Sequence, residues 1–449
     1  MTTKLQSLSR WLQLDSSLSF ALLARVWQVF SGPITIFLLV RALSLHEQGV
    51  FTGLLGIVGI QPLFELGMAS VIVGRAASLV GQGTTADNSG RATCQAELNW
   101  LATASVRWFT LVAVLYAIAG WALGWQVLSG TGIVVIDWRL PVALAVGLAA
   151  ATLAIAPRVY VMEGGGEREF IYRMRFWQAI CGSFTMWMSL WFGLKLWAVV
   201  AVFTVGALFQ TWIAFGPRAA ALLSQSTERP VQRTSNWFMK IGPVQWRIAA
   251  ISAAHYLASQ MLYLYVLNYH NSEQAAPLGM TLTITTAIQA VSLAWAQTKF
   301  PLISHHQAAG QRELAGTLWR QTTVVSAGLL MLGMIALAIA VWALGWFEQG
   351  WERRFVAPWL TLVLGLGYLA NHMLALQTYY VLSRGAKPLV VASLAGLLCT
   401  AVAIWWGGKQ YSVTGVVVAY TLAMTCITLP LHTWAYLRFR SQKFSVVNI

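Results

Sequence analysis

The stretch TTVVSAGLLMLGMIALAIAVWALGW, residues 322–346, contains no charged side chain. A helix needs about 20 mostly apolar residues to cross the hydrocarbon core of a bilayer. Twelve stretches of apolar character, numbered here as segments 1 to 12, occur along the chain: 18–40, 48–68, 105–125, 140–157, 174–193, 196–215, 246–268, 276–297, 322–346, 356–381, 388–406 and 412–436. None alternates in polarity as a membrane β-strand does. The sequence predicts an all-α polytopic membrane protein with about twelve transmembrane helices.

The composition excludes most soluble proteins. Of the 449 residues, 58% are hydrophobic and 10% are charged, and the mean hydropathy is +0.64. A soluble domain carries about 25% charged residues. Water-soluble enzymes, nucleic-acid readers and disordered scaffolds are therefore excluded.

The net charge of +15 is unevenly distributed. If the N-terminus is cytoplasmic, 21 Lys and Arg lie in cytoplasmic segments and 6 lie outside, with Arg25 and Arg107 inside helices. Cytoplasmic loops of membrane proteins carry an excess of Lys and Arg. Contact with the anionic lipids of the cytoplasmic leaflet explains this positive charge better than binding to nucleic acid does. The charges predict a multi-pass protein with both termini in the cytoplasm. They also predict that membrane lipids are among its partners.

The longest predicted cytoplasmic connection divides the chain into halves. We predict an N-terminal six-helix bundle at 1–217, a linker at 218–244 and a C-terminal six-helix bundle at 245–449. Because each half has an even number of helices, both halves share one orientation, and a pseudo-two-fold axis would run along the membrane normal. In segment 2, Gly49, Gly53 and Gly56 favour close helix packing.

No cofactor or metal is predicted. The sequence lacks the GxxxxGK[ST] pattern of ATP-binding loops. Its four cysteines form no CxxC pair and no Cys/His spacing typical of a metal site.

Arg25 lies inside segment 1, where a charge costs about 2.5–3.5 kcal/mol on insertion scales. Gln28 follows one turn later on the same side, so both are candidate substrate-binding residues in a wet cavity. Two alternatives are a snorkelling Arg25 and a structural or coupling ion pair with Glu65, which lies at a similar depth in segment 2.

Segments 7 and 8 carry polar stripes. The candidates for holding sugar hydroxyls and rings are His255, Tyr256, Ser259, Gln260, Tyr263, Thr285 and Gln289. Helix–helix hydrogen bonding and a buried, satisfied histidine are the alternatives that the pattern leaves open.

The start of the chain resembles a known family. Arg41-Ala-Leu43, Glu47-Gln-Gly49 and Glu65-Leu-Gly67 resemble the opening of polysaccharide flippases, the O-antigen and exopolysaccharide translocases of the superfamily that includes the MATE exporters. The detailed match covers roughly residues 18–80, and the two six-helix halves extend it as topology.

This resemblance implies a MATE-like fold with a V-shaped pair of bundles around a central cavity. It implies a flippase, not an enzyme, that moves a lipid-diphosphate-linked oligosaccharide across the bacterial inner membrane by alternating access for surface polysaccharide assembly. Arg25, Gln28, His255 and Gln289 fall on the helices that would line the cavity. The chain would work alone or beside a polysaccharide polymerase.

Two rival functions remain. A cation-coupled multidrug exporter of the same fold needs buried carboxylates, for which Glu65 is the candidate. A membrane glycosyltransferase or polymer ligase needs acidic residues on outer loops, and the acids predicted outside are scattered over short loops.

Overall fold

The computed structural model describes residues 16–65, 67–129, 137–223, 250, 254–255, 258–259, 261–308, 311–346, 350–383 and 389–441. All regular elements in these ranges are helices, which confirms the predicted all-α class. Most of the predicted linker lies outside them, as do Tyr256 and Gln260. The boundaries proposed for the two bundles therefore stay a prediction.

The first half contains nine helices in the described ranges. They are α1 (Ser16–Ala42), α2 (Leu45–Val58), α3 (Gln61–Glu65), α4 (Met68–Thr85), α5 (Asn88–Ser129), α6 (Arg139–Gly164), α7 (Arg168–Trp191), α8 (Trp197–Phe215) and α9 (Pro217–Leu223).

The described second half continues after residue 260 with long helices. They are α10 (Met261–Tyr269), α11 (Ser272–Ala308), α12 (Arg312–Leu344), a 3₁₀ turn (Trp351–Arg354), α13 (Pro358–Ser383), α14 (Val390–Ala423), a π-helical turn (Met424–Thr428) and α15 (Leu429–Ser441). Tyr411 and Ser412 leave helical geometry inside α14. This break separates predicted segments 11 and 12.

Eight helical spans in the described residues are long and apolar enough to cross a membrane. One of them, Val390–Phe439, holds segments 11 and 12 together. Segment 5 is absent from the eight because α7 begins at Arg168 with several charges. Segment 2 is absent because it is broken into pieces, and segment 7 is described only in part.

Segment 2 is the clearest departure from a simple span. Its helix breaks after Val58 and again before Met68, where Gly67 takes a left-handed conformation with φ of 70°. Glycine reaches that conformation without the steric cost that a Cβ imposes. Beyond this turn, α4 and α5 extend well past the predicted membrane span, and Arg75 pairs with Glu97 at 2.8 Å.

The chain folds as two compact units. Among the described elements, unit 1 comprises α1 and the helices α3 to α9, and unit 2 comprises Leu45–Gly56 of α2 and everything from α10 onward. In unit 1, Tyr116 of α5 is fully buried, packs edge-on against Phe64 at 5.5 Å and donates a hydrogen bond to the Val58 carbonyl.

In unit 2, the start of α2 is held by backbone contacts. Gln48 is buried and donates hydrogen bonds to the carbonyl oxygens of Ala276 and Arg354. A Cβ on Gly49 would overlap the carbonyl oxygen of Ser272, so glycine is required for this approach. The close packing expected of the segment 2 glycines is therefore seen at Gly49.

Candidate functional site

Unit 1 contains a polar cavity of about 500 Å³ between α1, α7 and α8. Its polar lining consists of Gln28, Thr35, Arg175, Gln178, Ser183 and Gln210. On α7, positions 175, 178, 182, 183 and 186 recur at helical spacing, so one face of the helix lines the cavity. A polar face of a membrane helix is expected toward protein or water and not toward lipid. The polar face of α7 meets this expectation because it lines the cavity.

A smaller cavity of about 100 Å³ shares part of this lining. Both are lined by Arg175, Gln178 and Gln210, and the smaller one adds Gln61, Glu65 and Tyr160. The amide of Gln210 donates to the Thr152 carbonyl at 2.7 Å, which fixes its direction. The shared residues join the two cavities into one polar site, which we call the unit 1 site.

Trp27 lines the larger cavity and belongs to a cluster of aromatic rings on α1 and α7. Trp27 stacks on Phe184 with ring centroids 5.9 Å apart, and Trp187 lies edge-on to Phe184 at 5.1 Å. Both indoles are oriented by hydrogen bonds, from Trp27 to Ser183 at 3.1 Å and from Trp187 to Thr35 at 2.8 Å. Such an amphipathic ring presents an apolar face while its N–H is satisfied. The lining therefore includes one flat, oriented indole beside amides and hydroxyls.

Arg175 is the cation of the unit 1 site. It forms an ion pair with Glu163 at 3.6 Å, and its side chain is 42% exposed. A guanidinium has five N–H donors, so one long ion pair leaves several donors available. The Tyr172 hydroxyl also donates a hydrogen bond to Glu163, at 3.2 Å, so Arg175 is not the sole hydrogen-bonding partner of that carboxylate. Arg175 can therefore receive an anionic group that enters the cavity.

The structure separates the predicted pair Arg25 and Glu65, and no salt bridge forms between them. Arg25 is exposed on α1 and donates to Gln28 Oε1 at 3.1 Å. Glu65 instead accepts hydrogen bonds from Gln61 at 3.3 Å and from Tyr160. The physical reason is the break in segment 2, since α3 turns Glu65 toward α6 and α7. Of the two, Glu65 lines the unit 1 site directly, and Arg25 reaches it through Gln28.

The candidates in unit 2 do not gather around one described cavity. Ser259 donates to the His255 carbonyl at 2.8 Å, and Tyr263 is buried and donates to the Gly49 carbonyl. Thr285 is buried and donates to the carbonyl one turn earlier in α11. Gln289 is half-buried on the same helix. The hydroxyls of Ser259, Tyr263 and Thr285 thus serve backbone carbonyls here.

A buried polar network crosses the helices of unit 2. The Ser326 hydroxyl lies 2.6 Å from the Ser292 carbonyl oxygen and 2.8 Å from His372 Nε2. Ser326 and His372 are fully buried. Because the single hydroxyl hydrogen points to the carbonyl, His372 Nε2 acts as the donor to Ser326. These bonds link α11, α12 and α13.

The residues that sequence reasoning missed lie on α6, α7 and α8. Arg175 was counted among the cytoplasmic cations because it stands at the very start of segment 5, whereas the structure places it well inside α7, which begins at Arg168. The polar run from Gln178 to Thr185 was the available signal. Gln210 carries no such signal, because its segment is otherwise apolar. Among the described residues no three His, Cys, Asp or Glu side chains come close enough to hold a metal ion.

Known structures share this fold. No family model matches the sequence, and no curated protein matches it significantly. The lipid II flippase MurJ in an inward closed conformation is 10% identical with a TM-score of 0.60, covering 93% of this chain and 89% of MurJ. A point mutant of the MATE transporter VcmN from Vibrio cholerae is 14% identical with a TM-score of 0.58, covering 98% of this chain and 99% of VcmN.

A third structure shares the fold. A MOP superfamily transporter from Pyrococcus furiosus, described with a binding pocket of reverse polarity, is 13% identical, with a TM-score of 0.53 and coverage of 96% and 97%. At such identities the likeness shows the fold. The chain is a multi-pass membrane protein with the MATE-like fold of membrane transporters, as the resemblance implied.

Proposed function

We propose that the protein is a flippase that translocates a lipid-diphosphate-linked oligosaccharide across the bacterial inner membrane by alternating access, for surface polysaccharide assembly. The observation that carries the proposal is the unit 1 site, where a cation, several amides and the indole of Trp27 line one cavity. The shared fold with MurJ, a lipid II flippase, supports a lipid-linked substrate.

The cations support an anionic headgroup. Arg175 lines the unit 1 site, and Arg25 is joined to its wall through Gln28. Hydrogen bonds between arginine and phosphate oxygens are charge-assisted and stronger than neutral ones. The diphosphate would be held by these two side chains.

The remaining lining supports a glycan. Sugars present both C–H faces and hydroxyls, so a site for them combines aromatic surfaces with short-range polar groups. The ring of Trp27 supplies the first, and Gln28, Gln178 and Gln210 supply the second. His255, Tyr256, Ser259, Gln260, Tyr263, Thr285 and Gln289 stay candidates for further sugar contacts. The lipid tail would remain in the bilayer, so no covalent chemistry is needed.

The test is translocation in vesicles that contain the purified protein. A lipid-diphosphate-linked oligosaccharide with a labelled sugar is incorporated, and the fraction of label accessible to an added lectin is followed over time. We expect accessibility to equilibrate across the bilayer faster with the protein than in protein-free vesicles, with unchanged lipid product. Equal rates in both, at verified reconstitution, would contradict the proposal. Altered product would favour a glycosyltransferase or ligase.

A cation-coupled multidrug exporter is the second candidate, and Glu65 favours it. This carboxyl lines the smaller cavity with Gln61 and Tyr160, where a proton or a cationic drug would find an acidic group. The same vesicles with an imposed pH gradient and a fluorescent cationic drug distinguish the two functions. Gradient-driven drug uptake that Glu65→Gln abolishes would support the exporter. Lipid translocation without drug uptake supports the flippase.

A further inference from the structure

An apolar groove lies on unit 1 where α8 meets α9. The helix ends at Phe215, and Gly216 takes an extended conformation before Pro217 begins the next helix. This bend leaves a groove of about 660 Å³ lined by Leu208, Thr211, Trp212, Phe215, Gly216, Pro217 and Ala220. Trp212 and Phe215 are 57% and 52% exposed, so large apolar faces are open along the groove.

An arginine lies at the edge of this groove. Arg158 of α6 lies over the Phe215 ring, with its guanidinium carbon 4.3 Å from the ring centroid. Its Nε atom is buried and has no hydrogen-bond partner in the described part of the chain. No carboxylate of the described residues forms an ion pair with it. Arg158 is therefore a fixed cation with unused donors next to an apolar surface.

The neighbouring arginine differs in this respect. Arg218 follows the groove residue Pro217, but it donates to Glu167 at 2.8 Å and lies over Phe170. Its charge is compensated by that carboxylate. Of these two arginines, Arg158 is the one without a carboxylate partner among the described residues. A ligand that complements this surface has an anionic group, which contacts Arg158 beside Phe215, and an apolar chain, which lies in the groove.

We propose that the groove binds an anionic phospholipid of the surrounding membrane, with an acyl chain along Trp212 and Leu208 and its phosphate on Arg158. The phosphate oxygens would accept hydrogen bonds from the guanidinium group, because a guanidinium matches phosphate with paired hydrogen bonds. Trp212 suits the level of the headgroups, where tryptophan is enriched. This end of unit 1 is the one predicted to face the cytoplasmic leaflet, which carries anionic lipid. The site does not depend on what the protein transports.

The experiment measures thermal unfolding of the full-length protein in detergent with added lipid. Phosphatidylglycerol is compared with phosphatidylcholine of the same acyl chains, and with glycerol phosphate, which has no chain. We expect a larger rise in Tm with phosphatidylglycerol than with phosphatidylcholine. Arg158→Gln should weaken the apparent affinity for phosphatidylglycerol about tenfold or more, since a hydrogen-bonded charge contributes about 1.5–3 kcal/mol.

Arg107→Gln is the matched control. Arg107 is an exposed arginine on α5 at the same predicted end of the membrane, with no ion pair among the described residues. The control should keep the full preference for phosphatidylglycerol. If Arg158→Gln fails to fold, Arg158→Lys replaces it and should keep only part of the preference. A preference unchanged by these Arg158 variants, or a shift reproduced by glycerol phosphate, overturns the lipid site.

Discussion

Replacing Arg175 by glutamine should separate substrate binding from stability. The ion pair with Glu163 spans 3.6 Å, and the arginine side chain is 42% exposed. Pairs this exposed contribute about 0–1 kcal/mol, because solvent screens them. The variant should therefore unfold within about 1 kcal/mol of the wild type. Glutamine keeps a polar amide in the cavity and removes the charge.

Binding should change much more than stability. A hydrogen bond to a charged group contributes about 1.5–3 kcal/mol, which corresponds to a loss of affinity of roughly 10- to 150-fold. The assay is vesicle translocation at increasing concentration of the lipid-diphosphate-linked oligosaccharide. We expect Arg175→Gln to raise the half-saturating concentration by about tenfold or more.

Arg218→Gln provides the control for this experiment. Arg218 also pairs with a glutamate, Glu167 at 2.8 Å, and is 53% exposed, but it does not line the unit 1 site. Its variant should translocate with the half-saturation of the wild type. If Arg175→Gln behaved in the same way as Arg218→Gln, Arg175 would not bind the headgroup and the reasoning would be refuted.

Three further predictions follow from other parts of the chain. Arg25→Ala should stop surface polysaccharide assembly in cells at equal protein level, because a headgroup cation is lost; normal surface polysaccharide would contradict its role. Gly49→Ala should lower the free energy of unfolding by about 1–3 kcal/mol, since its Cβ would overlap the carbonyl of Ser272, and unchanged denaturation in detergent would show that the helices can move apart. The backbone N–H of Gly90, at the start of α5, holds the pKa of the Asp87 carboxyl below its ordinary value. The stabilisation of this helix start is thus complete above the ordinary Asp pKa and is lost as the pH falls through the lowered one. The protection factor of the Gly90 amide, which compares its exchange with the intrinsic rate at the same pH, should therefore fall in acid for the wild type and not for Asp87→Asn.

The membrane fold was predictable because it rests on local composition. A run such as residues 322–346 has no stable place outside lipid, and its length matches one bilayer crossing. The ends of the helices were less predictable. The α5 helix begins at Asn88, far ahead of the apolar stretch that starts at 105, because polar residues continue a helix in water as readily as apolar ones continue it in lipid.

The sequence predicted the kind of site, but it did not identify all of the residues that line it. Arg25 and Gln28 stand out because they interrupt an apolar stretch, and Gln28 does line a cavity. The partner of Glu65 was not predictable, because the break after Val58 changes the direction of the chain and depth alone cannot show it. Gln210 joins the site through tertiary packing, which was not predictable because no polar residue lies one turn before or after it to mark a polar helix face.

The central claim is that the unit 1 site holds the lipid-linked glycan during transport. A photo-crosslinking amino acid at Ala179, which lines the cavity, tests it most directly, with Val324 on an exposed face of α12 as the control position. After irradiation with a labelled lipid-diphosphate-linked oligosaccharide, mass spectrometry should find the adduct at 179 and not at 324. Label at 324 with none at 179, in a protein that still translocates, would contradict the account.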